Sequence, residues 1–93
     1  MTPETFKDSL TDAEPPNLRA ELTALWLAGK GNWDAAHNIA QDIHTTEGSW
    51  IHAYLHRVEG DLGNAAYWYH RASKPVCKTS LEEEWEQIVA AML

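Results

Sequence analysis

The chain has 93 residues, 44% of them apolar and 23% charged, with four prolines and five glycines. This length and composition predict one globular domain, residues 1–93, and exclude a collagen-like or disordered chain. Fourteen acidic residues against seven basic ones give a net charge of −7, the wrong sign for binding nucleic acid or an anionic membrane surface.

The N-terminal segment, residues 1–14, predicts a short helix. Thr2 is suited to cap this helix, and Phe6 and Leu10 lie one helical turn apart on the same face. Two consecutive prolines end the segment, because proline is tolerated in the first turn of a helix but not in its interior.

Residues 16–44 predict a first helical hairpin. Its first helix ends at the glycine-rich turn 29–32, and its second helix begins near Trp33 and runs to about His44. The inward positions predicted from the helical spacing are Leu18, Leu22, Leu25, Trp26, Ala36, Ile39, Ala40 and Ile43.

Residues 49–74 predict a second hairpin. Ser49 is placed to cap its first helix, which ends at Gly60, and its second helix runs from about Gly63 until Pro75 stops it. The predicted inward positions are Ile51, Tyr54, Leu55, Val58, Ala65, Trp68, Tyr69 and Ala72.

Residues 80–92 predict a C-terminal capping helix. Ser80 and Glu83 have the spacing of a capping box, and Glu82–Glu84 lie where the helix dipole favours negative charge. Its apolar face consists of Leu81, Trp85, Ile88, Val89 and Met92. No segment alternates with a period of two, so the sequence predicts an all-α fold.

A shift of 29 residues superposes the two predicted hairpins. The superposed pairs include Leu22 with Ile51, Ala24 with Ala53, Leu25 with Tyr54, Trp26 with Leu55, Gly31 with Gly60, Asn32 with Asp61 and Ala36 with Ala65. Because the glycine turn and the small residue five positions beyond it stay in register, we interpret the chain as two tandem helical hairpins. A three- or four-helix bundle with helices of similar length is the alternative.

The repeated unit resembles the tetratricopeptide superfamily. The segment Gly31-Asn32-Trp33-Asp34-Ala35-Ala36 is similar to the turn of that superfamily, and the second hairpin is most similar to its Sel-like subclass. The residues that match the Sel-like pattern are Ala65, Trp68, Tyr69, Arg71 and Ala72.

The resemblance covers about residues 18–75, and residues 50–71 also resemble a group of short uncharacterised bacterial proteins. It implies a right-handed α–α arrangement that serves as a scaffold for protein interactions. The period of 29 is shorter than the usual ~34 and there are two repeats rather than three or more, so we expect a compact array sealed by the terminal helices.

Two aromatic and basic groups are candidates for partner binding. They are Trp50, Tyr54 and Arg57 on the third main helix, and Tyr67, His70 and Arg71 on the fourth. Tryptophan, tyrosine and arginine are enriched at binding hot spots. A structural role is the alternative, since Tyr54 also belongs to the inward stripe and Arg57 can pair with Asp61.

A metal site is the second hypothesis. His52, His56 and Glu59 follow each other at i, i+4 and i+7, on a stripe predicted to point away from the apolar face of their helix. A cation held there would lie near the surface or under a neighbouring helix. A third histidine, His37 or His70, would be required. The alternative is a set of exposed or hydrogen-bonded histidines. The second helix otherwise predicts a solvated outer side made of His37, Gln41 and His44.

The sequence therefore predicts a non-catalytic protein-interaction module, without a cofactor, that binds a peptide or helix through a hairpin surface. A metal-binding protein or metal-dependent enzyme is the alternative, and a homodimer would cover the open end of a two-hairpin array. No phosphate-binding loop, nucleophile elbow or cysteine pair occurs. The single cysteine, Cys77, and the lack of a secretory signal or an apolar run of ~20 residues predict a cytoplasmic protein without nucleic-acid or membrane partners.

Overall fold

The computed structural model describes residues 1–93 and confirms the all-α prediction. Six α-helices and one short 3-10 turn make up the regular structure, and no strand occurs. The helices are α1 (Pro3–Asp8), α2 (Ala20–Gly29), α3 (Trp33–Ala40), α4 (Thr46–Val58), α5 (Leu62–Arg71) and α6 (Leu81–Met92), and the 3-10 turn is Ser9–Thr11. None of these helices has the length and apolar content needed to cross a bilayer.

Every helix except α2 begins at a side-chain cap. The capping side chains, each of which accepts a hydrogen bond from the backbone N–H three residues further on, are Thr2, Asn32, Thr45, Asp61 and Ser80. The caps predicted at Thr2 and Ser80 are confirmed. The cap predicted at Ser49 is wrong, because Thr45 accepts from the Gly48 N–H at 3.1 Å and starts α4 one turn earlier.

Two other helix ends differ from the prediction. Helix α2 begins at Ala20 because Arg19 is extended, with ψ of 163°. Helix α3 ends at Ala40 instead of near His44, since the following turn closes with short-range bonds such as that from the Ile43 N–H to the Ala40 carbonyl at 3.1 Å. Because α4 also begins one turn early, the α3–α4 connection keeps about its expected length and lies four residues earlier, at 41–45.

The two glycine turns have the same geometry, as the 29-residue repeat predicts. Gly31 and Gly60 have φ values of +81° and +85°, in the left-handed region that favours glycine. The next residues, Asn32 and Asp61, cap α3 and α5 through bonds of 3.3 and 3.2 Å. Each turn thus reverses the chain in the same way between two consecutive helices.

The helices pack as two sequence-adjacent pairs, α2 with α3 and α4 with α5, and α4 also contacts α2, α3 and α6. Leu22 and Ile51, which the repeat superposes, both lie in the main core. Helix α1 lies on α6, where the Phe6 and Trp85 ring centroids are 5.8 Å apart. The Trp85 indole N–H donates to the Leu25 carbonyl at 2.9 Å and ties α6 to α2.

Helix α4 is the central helix of the fold. Six consecutive residues, Ile51–His56, are buried, so α4 is covered on all sides and does not have one solvated face. The stripe with His52 and His56 therefore lies under neighbouring helices, which is one of its two predicted positions, and not near the surface. Val58, predicted to point inward, is 41% exposed because it lies in the last turn of α4, next to the exposed glycine turn.

Candidate metal centre

Three histidines meet between α3 and α4. His37 comes from the middle of α3, and His52 and His56 lie one turn apart on α4. One ring nitrogen of each lies within 4.8 Å of one ring nitrogen of the other two. The closest approach joins the Nε2 atoms of His37 and His52 at 3.0 Å.

Two tryptophans enclose this histidine triad. Trp33 stacks on His37 with ring centroids 4.7 Å apart, and Trp68 of α5 stacks on His52 at 4.0 Å. The Trp33 indole N–H also donates to the Leu55 carbonyl at 2.6 Å, which holds α3 against α4. The triad is consequently largely shielded from solvent, with His52 and His56 only 6% and 7% exposed.

Glu59 orients one of the three rings. Its Oε1 lies 2.6 Å from the Nδ1 of His56, so Nε2 is the nitrogen of His56 that is free to bind a metal. A carboxylate hydrogen-bonded to the second nitrogen of a histidine is the usual outer partner of a metal ligand. Asp61 is also near His56 and Glu59, but its carboxylate is exposed and caps α5.

The surroundings keep two of the rings neutral. Burial first, and then the neighbouring His37 and His56, lower the pKa of His52 to about 4. Burial and the nearby His56 also lower the pKa of His37. Because a metal binds the neutral imidazole, these shifts make His37 and His52 available as ligands at neutral pH.

The distance between His37 and His52 fits a small transition-metal ion. Zinc binds histidine nitrogen at about 2.0–2.1 Å in tetrahedral geometry, which places two ligand nitrogens about 3.3 Å apart. The 3.0 Å between the Nε2 atoms of His37 and His52 is close to that value. Three histidines would leave a fourth position open.

The third histidine of the cluster is His37, not His70. His37 was expected on the solvated side of α3, and that prediction is wrong: the ring is half-buried in the triad because this side of α3 packs on α4. His70 is exposed on α5 and does not belong to the cluster, while Gln41 and His44 are exposed as predicted.

The first candidate partner-binding group makes contacts inside the fold. Tyr54 is buried, and burial raises its pKa to about 12. Arg57 donates to Glu84 at 2.9 Å and to the Thr79 carbonyl, so its partner is not Asp61. The half-buried Trp50 donates from its indole N–H to Glu84 at 3.3 Å.

Glu84 is a further candidate functional residue, which the sequence did not single out. It is fully buried, and besides Trp50 and Arg57 it accepts from the Tyr69 hydroxyl at 2.6 Å. Burial and the Glu84 carboxylate raise the pKa of Tyr69. Its position in an acidic run at the start of α6 indicated only a helix-dipole contact. The helical spacing could have found it, because Glu84 lies three residues after Leu81 and four before Ile88, on the apolar face of the helix.

The second candidate partner-binding group remains on the surface. Tyr67, His70 and Arg71 are exposed on α5. The Arg71 guanidinium lies 5.8 Å from the Tyr67 ring centroid and 5.6 Å from that of Trp68. This group therefore offers an aromatic and cationic surface, as its residue types predict.

No family model, no curated protein and no solved structure matches the chain.

Proposed function

We propose that this protein binds a divalent transition-metal ion of the zinc class through His37, His52 and His56. The observation that carries the proposal is the convergence of three ring nitrogens from two helices within 4.8 Å. The ligand set differs from the sequence hypothesis, since His37 takes the ligand position of Glu59. Glu59 instead holds the ring of His56 in place.

Three features support the site beyond the distances. His37 and His52, whose pKa values are lowered, are uncharged at neutral pH. A metal ion therefore does not have to displace a proton from them. The stacked tryptophans fix the ring planes of His37 and His52. The carboxylate of Glu59 on His56 supplies the outer contact that metal-binding histidines use.

Titration of metal-free protein with Co²⁺ and Zn²⁺ tests this function. We expect one Co²⁺ per chain with the visible absorption of a four-coordinate site, displaced by Zn²⁺, and at least a tenfold loss of affinity in His37→Ala. The matched control is His70→Ala, which removes an exposed histidine and should leave binding unchanged. Binding that is absent in the wild type, or equal in the two variants, would contradict the proposal.

A protein-interaction function is the second candidate, favoured by the exposed aromatic and cationic group on α5. Tyr67 is 54% exposed, and Arg71 has no carboxylate partner among the ion pairs of the chain. The repeated turns and paired helices also support a tandem-hairpin arrangement of the tetratricopeptide kind. On this hypothesis the surface would bind a peptide with an acidic residue.

Selection from a random peptide library tests the interaction function separately. Peptides enriched on the wild type should carry an acidic residue and lose binding to Tyr67→Ala. They should bind His37→Ala normally, because the ring of His37 contacts Trp33, His52 and His56 and does not contact Tyr67 or Arg71. No enrichment, or binding that ignores Tyr67→Ala, would refute this candidate.

A further inference from the structure

A cleft opens beside the histidine triad. Its volume is about 240 Å³, and its walls come from the end of α3, the α3–α4 connection, α4 and α5. The lining residues that matter here are His44, Ser49, His52, Trp68 and Arg71. His52 therefore belongs both to the triad and to the wall of the cleft.

The two ring nitrogens of His52 have different surroundings. Nε2 faces His37 at 3.0 Å, whereas Nδ1 makes no hydrogen bond. No fully buried side-chain nitrogen or oxygen in the chain lacks a partner, so the unpaired Nδ1 must lie at the small exposed part of His52. That part borders the cleft.

A metal at Nε2 would fix Nδ1 as a hydrogen-bond donor. A neutral imidazole carries one proton, and when Nε2 binds a metal the proton is on Nδ1. Ligating histidines nearly always donate this N–H to a carboxylate, a carbonyl or water. His56 has such a partner in Glu59, but no group of the chain fills this place at His52.

The cleft favours an anion. No aspartate or glutamate lines it, although the chain carries a net charge of −7. Arg71 lines it without a carboxylate partner and donates only to the Tyr67 hydroxyl, at 3.4 Å. Ser49 adds a hydroxyl, and Trp68 gives an apolar wall.

We propose that the cleft binds a small molecule with an anionic oxygen group, which accepts a hydrogen bond from His52 Nδ1 and pairs with Arg71. This inference rests on the proposed metal site, because the metal places the proton on Nδ1. Carboxylates and phosphates share the required chemistry. The 240 Å³ of the cleft limits the ligand to a small molecule.

Titration of the zinc-loaded protein with inorganic phosphate, and separately with acetate, tests the inference. The readout is the imidazole ¹⁵N and ¹H resonances of His52, followed together with the binding isotherm. We expect a saturable shift of the Nδ1–H signal with at least one anion. Response to phosphate alone would identify a phosphate ligand, and response to acetate alone a carboxylate ligand.

Three comparisons make the result specific. Affinity for the anion should fall at least tenfold in Arg71→Gln. It should also be lower in the metal-free protein, in which no metal fixes the proton on His52 Nδ1. It should be unchanged in Lys78→Gln, which removes an exposed cation outside the cleft. An anion that binds Arg71→Gln as tightly as the wild type sits on the zinc alone, and overturns the inference.

The two proposals fail in different ways. If zinc binds with the expected stoichiometry and neither anion shifts His52, the anion cleft is wrong and the metal site stands. If zinc does not bind, the metal site is wrong and the inference falls with it.

Discussion

Replacing Glu84 with glutamine removes the charge of the one fully buried carboxylate in the chain. Its partners stay in place: the guanidinium of Arg57 at 2.9 Å and the hydroxyl of Tyr69 at 2.6 Å. The substitution therefore leaves a largely buried arginine without its counter-charge. Breaking a buried ion pair in this way typically costs 3–5 kcal/mol. Because glutamine can still form a hydrogen bond with Arg57 or Tyr69, we expect a loss of about 3 kcal/mol, at the lower end of this range.

That loss is large for a chain of this size. At roughly 0.05–0.15 kcal/mol per residue, the total free energy of unfolding is about 5–14 kcal/mol. Urea unfolding followed by tryptophan fluorescence should show the midpoint of Glu84→Gln lowered by about 2 M, taking a slope of about 1.5 kcal/mol/M. The buried network joins α4, α5 and α6, so unfolding should remain a single transition.

Glu82→Gln is the matched control. Glu82 lies on the same helix, but its pair with Lys7 spans 3.3 Å with both side chains at least half exposed, and exposed pairs contribute about 0–1 kcal/mol. The combined variant Glu84→Gln/Arg57→Gln should lose less than the sum of the single losses, because the partners are in contact. If Glu84→Gln costs no more than Glu82→Gln, the account of the buried network is refuted.

Three further predictions concern the histidine triad and the loop that precedes α4. Because the pKa of His52 falls from 6.5 in the unfolded chain to about 4 in the fold, the unfolded state binds an extra proton between these values. The contribution of His52 to the free energy of unfolding should therefore be fully present above pH 6.5 and should decrease by about 3 kcal/mol between pH 6.5 and pH 4. A urea midpoint that does not change over this range would contradict the prediction. Zinc at 100 times its dissociation constant should add about 2.7 kcal/mol of stability and raise the Tm by about 10–20 °C. At the same zinc concentration, calorimetry should find at most about half of this rise in His37→Ala, because tenfold weaker binding leaves about 1.4 kcal/mol. Gly48→Ala should destabilise the protein by more than about 1 kcal/mol, because the new Cβ would lie 2.7 Å from the Cβ of Ile43. The control Gly63→Ala, whose new Cβ meets open space, should be neutral or stabilising. Equal thermal midpoints for the two variants would refute the packing argument.

Local signals in the sequence predicted the local features of the fold. The glycine turns at Gly31 and Gly60 and the cap at Ser80 depend on residues close together in the chain, and the structure has them where expected. The start of α4 was missed because Thr45 and Ser49 are both good caps, and the structure uses Thr45.

Features that depend on packing between distant helices could not be predicted in the same way. The helical spacing of α4 indicates an apolar face, but only the positions of α3, α5 and α6 show that its other faces are covered as well. The same packing buries His52 and His56 and brings His37 to them from α3. Pairwise spacing of the histidines indicated a possible site, and tertiary contacts determined its third member.

The most direct measurement of the central claim is a crystal of the protein grown with one equivalent of zinc and recorded at the zinc absorption edge. The account predicts a single strong anomalous peak between α3 and α4, bonded to the Nε2 atoms of His37, His52 and His56. A peak at Cys77 or at surface carboxylates, with the three imidazoles unligated, would contradict it.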